Sequence, residues 1–94
     1  MNDKELARCI KIFAHTHPEY EMDEIYPIPK KDLKVGHIYL GNCRNTDKAV
    51  WTGKKFEYQR YKFGSTFLEY INHYEDDDGY DVFVPFIDIS KFSS

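Results

Sequence analysis

Four histidines and two cysteines are the residues of this 94-residue chain that most readily do chemistry. His15 and His17 stand one residue apart, a spacing that could begin a metal site. No cysteine pair or carboxylate stands near them at a ligand spacing. We therefore expect no metal site and no cofactor.

Carboxylates concentrate between Glu75 and Asp81. A twelve-residue calcium loop needs glycine in sixth place and glutamate in twelfth. With Gly79 in sixth place the twelfth residue is Pro85, so the calcium motif fails. Because an Asp-Gly pair suits a tight turn, we predict an acidic hairpin with solvated carboxylates at its tip, called here the acidic segment: Asp76, Asp77 and Asp78.

A catalytic site is the less favoured interpretation. Cys43 with a distant histidine is the thiol candidate, but its strand pattern explains it as a packing residue. The sequence holds no nucleophile elbow, phosphate-binding glycine loop or dinucleotide fingerprint. A small hydrolase or nuclease built from His37 or His73 with a nearby carboxylate stays an alternative, and it requires two ionisable groups that converge in a pocket.

Aromatic and basic residues are interleaved in the middle of the chain. In single-strand binders, rings stack on bases while cations neutralise phosphates. The sequence pI of about 5.7 argues against a nucleic-acid binder, whose footprint is basic. Because rings on strands are also common core residues, three roles stay open for this set, namely core packing, a protein interface and a nucleic-acid surface: Arg44, Trp51, Tyr58, Arg60 and Lys62.

Aromatic residues make up 17% of the chain, with seven Phe, eight Tyr and one Trp. A domain of this size buries about two-thirds of its surface, which is too little to hide every ring. Some tyrosines should therefore be exposed, and exposed tyrosine is enriched at protein interfaces. Tyr74 and Tyr80, which flank the acidic segment, join it as candidate binding residues.

Charge is unevenly distributed along the chain, although its net value is only −3. Residues 32–64 carry seven basic and three acidic groups, whereas residues 65–94 carry one basic and seven acidic groups. If the two segments are antiparallel neighbours, their charges offset each other locally. The alternative is two oppositely charged faces, of which the acidic one would repel or mimic nucleic acid.

An amphipathic helix within residues 1–17 is the first element expected to position these groups. Its apolar residues recur at the spacing of one helical face: Leu6, Cys9, Ile10 and Phe13. Pro18 ends it, since the residue before a proline avoids the helical region. A proline-containing connector over residues 18–35 follows.

Strand-forming residues separated by turn residues dominate residues 36–92. We predict an α+β fold in one domain over residues 1–94, with the helix followed by about five antiparallel strands in a curled sheet or small SH3-like barrel. A bulge near Gln59 and Arg60 would turn all the rings of one strand towards the core. Pro85 marks an edge or a bulge.

Five elements between residues 43 and 85 form a further pattern: Cys43-Arg44-Asn45, Trp51, Phe56-x-Tyr58-x-Arg60, Lys62-Phe63-Gly64 and the hairpin from Asp77 to Pro85. In these elements the chain resembles a family of small bacterial and phage proteins, and this resemblance implies no particular activity for the chain. The resemblance implies a microbial or phage origin and no mechanism.

Together these patterns predict a non-enzymatic module that binds a protein partner. A phage- or mobile-element-encoded inhibitor of a host nucleic-acid machine would suit its size, its acidity and its lack of a catalytic set. A single-stranded nucleic-acid-binding β module and a small hydrolase or nuclease remain the alternatives, and the oligomeric state stays open.

The cell compartment follows from three further observations. No apolar run reaches the about 18 residues of a membrane span, so we expect no membrane partner. The first residues lack the basic start and apolar stretch of a secretion signal. Two isolated cysteines are typical of a reducing compartment. We therefore expect a cytoplasmic protein, while a disulfide between Cys9 and Cys43 stays open.

Overall fold

One α-helix and five strands form the framework of the computed structural model, which describes residues 3–43, 46–62, 64–76 and 82–91. The elements in chain order are α1 (Asp3–Thr16), β1 (Ile38–Asn42), β2 (Lys48–Trp51), β3 (Phe56–Lys62), β4 (Ser65–His73) and β5 (Val82–Asp88). Within the residues described, no helix has the length and apolar character needed to cross a membrane.

The five strands pair in a ring. β1, β2, β3 and β4 are antiparallel neighbours in chain order, and β5 pairs antiparallel with β1. β5 also contacts the end of β4 in parallel, at Asn72 and His73. The sheet therefore curls and closes on itself. The predicted α+β fold with one helix and a curled five-stranded sheet is confirmed, and the β4–β5 pair corrects the expectation of antiparallel pairing throughout.

The predicted acidic hairpin is wrong as a link between β4 and β5. A tight hairpin joins antiparallel strands, whereas β4 and β5 are parallel. A 3-10 turn at Tyr74–Asp76 follows β4 directly, and the antiparallel partner of β5 is β1. Asp-Gly is a local turn signal and does not determine which strands pair. Asp77 and Asp78 lie outside the described residues.

The predicted bulge at Gln59 and Arg60 is also wrong. Pairing between β3 and β4 is regular from Phe56 with Ile71 through to Lys62 with Ser65. The prediction assumed that every ring of β3 must reach the core. β2 pairs with β3 at Phe56 and Glu57, and beyond these residues β3 continues along β4 without an inserted residue.

A bulge does occur beside Pro85, as the sequence indicated. The register between β1 and β5 shifts between Leu40 and Gly41, opposite the segment that holds Pro85. A proline cannot donate a hydrogen bond to the ladder. Its carbonyl oxygen accepts a bond from the N–H of Ile28, at 2.9 Å, which ties the connector to β5.

Two apolar clusters lie on opposite faces of β1 and β5. The inner cluster fills the closed sheet: Tyr39, Ala49, Trp51, Phe56, Tyr58, Ile71 and Phe83. The outer cluster lies between α1 and the sheet: Phe13, Ile25, Val84 and Phe86. Successive β5 residues thus serve different clusters, which explains its nearly continuous apolar sequence. Cys9 packs beside the outer cluster and Cys43 beside the inner one, and no disulfide joins them.

Candidate interaction surface

Two aromatic residues of the predicted binding set lie in the core. Trp51 is 4% exposed and Tyr58 is 5% exposed. The Tyr58 hydroxyl donates to Glu69, and the Arg60 guanidinium also donates to Glu69, with 3.0 Å between Nη1 and Oε1. Core packing, one of the roles left open by the sequence, is therefore the role of both rings. Arg44 lies outside the described residues, as does the side chain of Lys62.

The acidic group of candidates is only partly described. The half-buried Tyr74 packs against the His73 ring, with 4.5 Å between ring centroids. Asp76 accepts a hydrogen bond from the Lys30 ammonium at 2.7 Å. Both side chains are thus engaged within the chain. Asp77, Asp78 and Tyr80 lie in the undescribed segment.

Opposite charges meet where the basic and acidic parts of the sequence become strand neighbours. Arg60 belongs to the basic middle of the chain and Glu69 to its acidic end, and they form a diagonal ion pair between β3 and β4. Such a partly exposed pair contributes about 0–1 kcal/mol to stability. This contact is the local offset that the sequence suggested as an alternative to two charged faces.

His73 is a structural residue of the inner cluster. Its imidazole is fully buried and stacks near Phe56. Nδ1 accepts the N–H of Glu75 at 3.0 Å, and Nε2 donates to the carbonyl oxygen of Ile28 at 3.1 Å. Both ring nitrogens are therefore used within the chain, which accounts for this histidine without catalysis.

Acid should destabilise the protein through His73. Burial lowers the pKa of His73 below its ordinary 6.5, an effect only partly opposed by the bond to Ile28 and the nearby carboxylates. As pH falls through 6.5 the unfolded chain takes up a proton that the folded chain resists, so stability decreases. Thermal unfolding between pH 8 and pH 5, values chosen to lie about 1.5 units either side of that pKa, measures this loss.

The matched variants for this measurement are His73→Gln and His15→Gln. We expect His73→Gln to flatten the decline of the melting temperature across this pH range. His15 is exposed, so His15→Gln should leave the decline unchanged. An equally steep decline in His73→Gln would contradict the assignment to His73.

His37 forms a second histidine site, and here a carboxylate lies within reach. Its Nδ1 is 2.9 Å from Oδ2 of Asp88, a contact that joins the start of β1 to the end of β5. Asp88 also lines a cleft of about 440 Å³ together with Tyr39 and Lys34. A carboxylate that orients an imidazole is the arrangement of a general base. His37 therefore remains a candidate catalytic histidine for the hydrolase alternative, whereas His73 does not.

His15 and His17, the histidines whose spacing could begin a metal site, have different surroundings. His17 stacks on Phe13 with 4.3 Å between ring centroids, and its Nε2 lies 3.4 Å from Asp47. His15 is exposed at the end of α1. Over the described ranges, the group of side chains close enough to share a metal ion is exposed and purely acidic: Glu21, Asp23 and Glu24. These three carboxylates lie outside the histidine and acidic patterns considered from the sequence.

An apolar surface that the sequence analysis missed lies on the outside of the sheet. Ile38, Val50, Glu57 and Tyr70 form one row across four strands. Leu68 lies beside the row, and it is 47% exposed while Tyr70 is 55% exposed. We call the apolar members of this surface the outer face: Ile38, Val50, Leu68 and Tyr70.

The position of α1 explains why the outer face is accessible. Phe13 on α1 contacts Phe86 on β5, with 5.1 Å between ring centroids, and α1 also packs on β1. The helix therefore covers the outside of the sheet at its β1–β5 side. The outside of β2, β3 and β4 instead borders a cleft of about 410 Å³ lined by Ile38, Val50 and Leu68.

Exposed tyrosines are present, as the ring content predicted. Tyr26 and Tyr70 are both exposed, whereas Tyr39 and Tyr58 are buried. The Tyr70 hydroxyl bonds to the carboxylate of Glu57, which raises the pKa of Tyr70. This bond holds an exposed ring against its cross-strand neighbour on the outer face.

Neither a protein-family model, a curated protein nor a solved structure matches this chain. The interpretation of the outer face therefore depends on its own geometry. The SH3-like description of the sheet and the resemblance to small bacterial and phage proteins stay predictions.

Proposed function

We propose that this chain is a non-enzymatic protein-interaction module and that its outer face contacts the partner. The observation that carries the proposal is the accessibility of apolar side chains on this part of the sheet. Leu68 and Tyr70 are both exposed. Covering apolar area stabilises a complex by about 25 cal/mol per Å² before the costs of association.

The surroundings of the outer face resemble the anatomy of a protein interface. Its apolar centre borders polar and charged side chains along the same cleft: Asp47, Lys48, Glu57 and Gln59. Interfaces of proteins that bind each other have such an apolar centre and polar rim. Both signs of charge occur in this rim, which favours a partner with a mixed surface.

Nucleic-acid binding is the less supported alternative. The stacking role proposed for Trp51 and Tyr58 requires accessible ring faces, and both rings lie in the inner cluster. The half-buried Arg60 is paired with Glu69. Base stacking on Trp51 and Tyr58, on which the nucleic-acid alternative depended, therefore has little support from the described residues.

A finer proposal concerns the kind of partner. The small size, the net charge of −3 and the sequence's lack of a catalytic motif support a phage- or mobile-element-encoded inhibitor of a host nucleic-acid machine. A partner that normally binds nucleic acid carries a basic surface. Within the acidic segment, Asp77 and Asp78 would supply negative charge for such a surface, since Asp76 already pairs with Lys30.

Introducing a positive charge into the apolar outer face tests the proposal. We expect Val50→Lys to weaken binding to a captured bacterial protein by at least about tenfold, because a lysine ammonium must lose water there. Val50→Thr, which keeps the branched shape, should weaken it less. Binding of the purified partner is measured by calorimetry, and thermal melting confirms that each variant folds.

Met22→Lys is the control, because Met22 is an exposed apolar residue on the connector, away from the outer face, whereas Val50 is half-buried on it. It should bind like the unchanged protein. Equal binding by Val50→Lys and Met22→Lys would overturn the proposal. A second pair of results would also overturn it: nuclease treatment abolishes capture of the partner, and the protein binds labelled single strands at low salt, where phosphate contacts are strongest.

A further inference from the structure

Half of the β3–β4 hairpin extends beyond the rest of the sheet as a two-stranded ribbon. β2 pairs with β3 at Phe56 and Glu57, near one end of β3. β5 pairs with β4 at Asn72 and His73, the last two residues of β4. Across the ranges that the structure describes, the part of the hairpin nearer its turn has β3 and β4 alone.

The register shows which backbone groups of β4 point away from β3. Lys62 pairs with Ser65, so two residues connect the strands, and the residues that flank such a two-residue turn are those that its hydrogen bond joins. Hydrogen-bonding direction alternates along an antiparallel strand. Ser65 therefore faces β3, and the residues directed away from β3 form what we call the open edge: Thr66, Leu68 and Tyr70.

Asn72 supports this assignment. It is the next residue in the alternating series after Tyr70, and it is the residue where β4 begins to pair with β5. Because the direction alternates, only one of Asn72 and His73 directs its backbone groups towards β5, and the register of β4 makes this residue Asn72. The same direction for Thr66, Leu68 and Tyr70 follows from the regular register of β4.

The open edge lacks the features that usually prevent sheets from joining. Natural edges carry lysine, proline or a bulge, whereas β4 has no lysine or proline and pairs regularly with β3. Its one charged side chain before the terminal histidine is Glu69, which contacts Arg60 within the same chain. Phe67 and Leu68 are exposed and occupy opposite faces of the ribbon.

We propose that the open edge pairs with the open edge of a second copy of this chain, through an antiparallel two-fold contact centred on Leu68. The proposal builds on the proposed function, because it names one partner of the same apolar sheet. Two-fold symmetry places Leu68 opposite the partner's Leu68 and Thr66 opposite the partner's Tyr70. The dimer thereby satisfies the backbone groups of both edges.

The charges along the open edge suit pairing with a second copy. In this register Phe67 faces the partner's Glu69, so no like charges lie directly opposite each other. Each Glu69 keeps its own Arg60. A two-fold axis perpendicular to the sheet leaves the outer faces of both copies on one side, where Leu68 and Tyr70 from each chain form one apolar surface.

Introducing opposite charges at Leu68 in two separate variants tests the pairing. Sedimentation equilibrium of the unchanged protein should show a monomer–dimer equilibrium. Leu68→Lys and Leu68→Glu should each raise the dimer dissociation constant at least about tenfold, because like charges would face each other across the axis. An equimolar mixture of the two variants should recover dimers, since opposite charges then meet.

Met22→Lys is again the control and should dimerise like the unchanged chain. Amide hydrogen exchange supplies a second readout, in which the Leu68 N–H is protected in the dimer and exchanges faster in Leu68→Glu, which retains this N–H. A monomer at all concentrations, full dimerisation of Leu68→Lys alone, or no recovery in the mixture would overturn the proposal.

The same variants separate this inference from the proposed function. Val50 lies on β2, two strands away from the open edge. If the outer face binds a different protein but β4 does not self-pair, Val50→Lys loses that protein while the unchanged chain is monomeric. If β4 self-pairs but the outer face binds nothing else, Val50→Lys dimerises normally and no captured protein depends on Val50.

Discussion

Replacing Gly41 by alanine should lower the free energy of unfolding by about 3 kcal/mol or more. Gly41 is buried on β1 where this strand meets the bulge of β5. A Cβ at this position would overlap the carbonyl oxygen of Val84 and lie 2.9 Å from both the Phe83 ring and the Pro85 Cα. Two of these three atoms are backbone, so they move only if the β1–β5 pairing moves.

Urea denaturation measures this effect, and Gly36→Asn is its control. Gly36 has a φ of 86° with no atom within 4 Å of an added Cβ. Asparagine tolerates such a backbone conformation, and the cost of replacing this glycine should stay within about 1 kcal/mol. Gly41→Ala as stable as Gly36→Asn would contradict the close approach of β1 and β5.

Phe56→Ala should cost about 3–5 kcal/mol, the range for removing a buried phenylalanine ring. Phe56 is 0% exposed and lies at the centre of the inner cluster. Its ring centroid is 4.6 Å from that of Phe83 and 4.9 Å from that of Trp51. These rings come from three strands, so the cavity left by alanine cannot be closed by a shift of one strand.

Trp51 fluorescence provides a direct readout of this substitution, because Phe56 contacts the indole. Phe67→Ala is the matched control, since it removes the same ring from the neighbouring strand at an exposed position. We expect it to change stability by less than about 1 kcal/mol. Similar losses for the two variants would show that the inner and exposed parts of the hairpin are wrongly assigned.

Local sequence pattern was sufficient for the helix and for the number of strands. The apolar spacing of Leu6, Cys9 and Ile10 predicted a helix within residues 1–17, and α1 spans Asp3–Thr16. These three residues pack against the outer cluster. The bulge at Pro85 was also foreseeable, because the missing N–H of proline is a property of one residue.

Strand pairing could not be read from local pattern. The Asp-Gly pair after β4 suggested a hairpin, yet β5 finds its antiparallel partner in β1, more than forty residues earlier, between Tyr39 and Asp88 among others. That choice depends on Phe83 reaching the inner cluster while Val84 reaches the outer one. Both requirements involve residues from distant parts of the chain.

The outer face was missed for a related reason. In β4, Leu68 and Tyr70 alternate with Phe67, Glu69 and Ile71, and both sets are apolar enough to face a core. Pairing decides between them, since Ile71 lies opposite the buried Phe56. The sequence correctly required some exposed tyrosines, but it could not select Tyr70 over Tyr58.

The division of β5 between two clusters has a consequence for protein synthesis. Phe83 belongs to the inner cluster, whereas Val84 and Phe86 belong to the outer one. A nascent chain can therefore complete the inner cluster only after Phe83 has been synthesised, and the outer cluster only after Phe86. α1 therefore waits for a strand made about seventy residues later, a separation typical of slow folding.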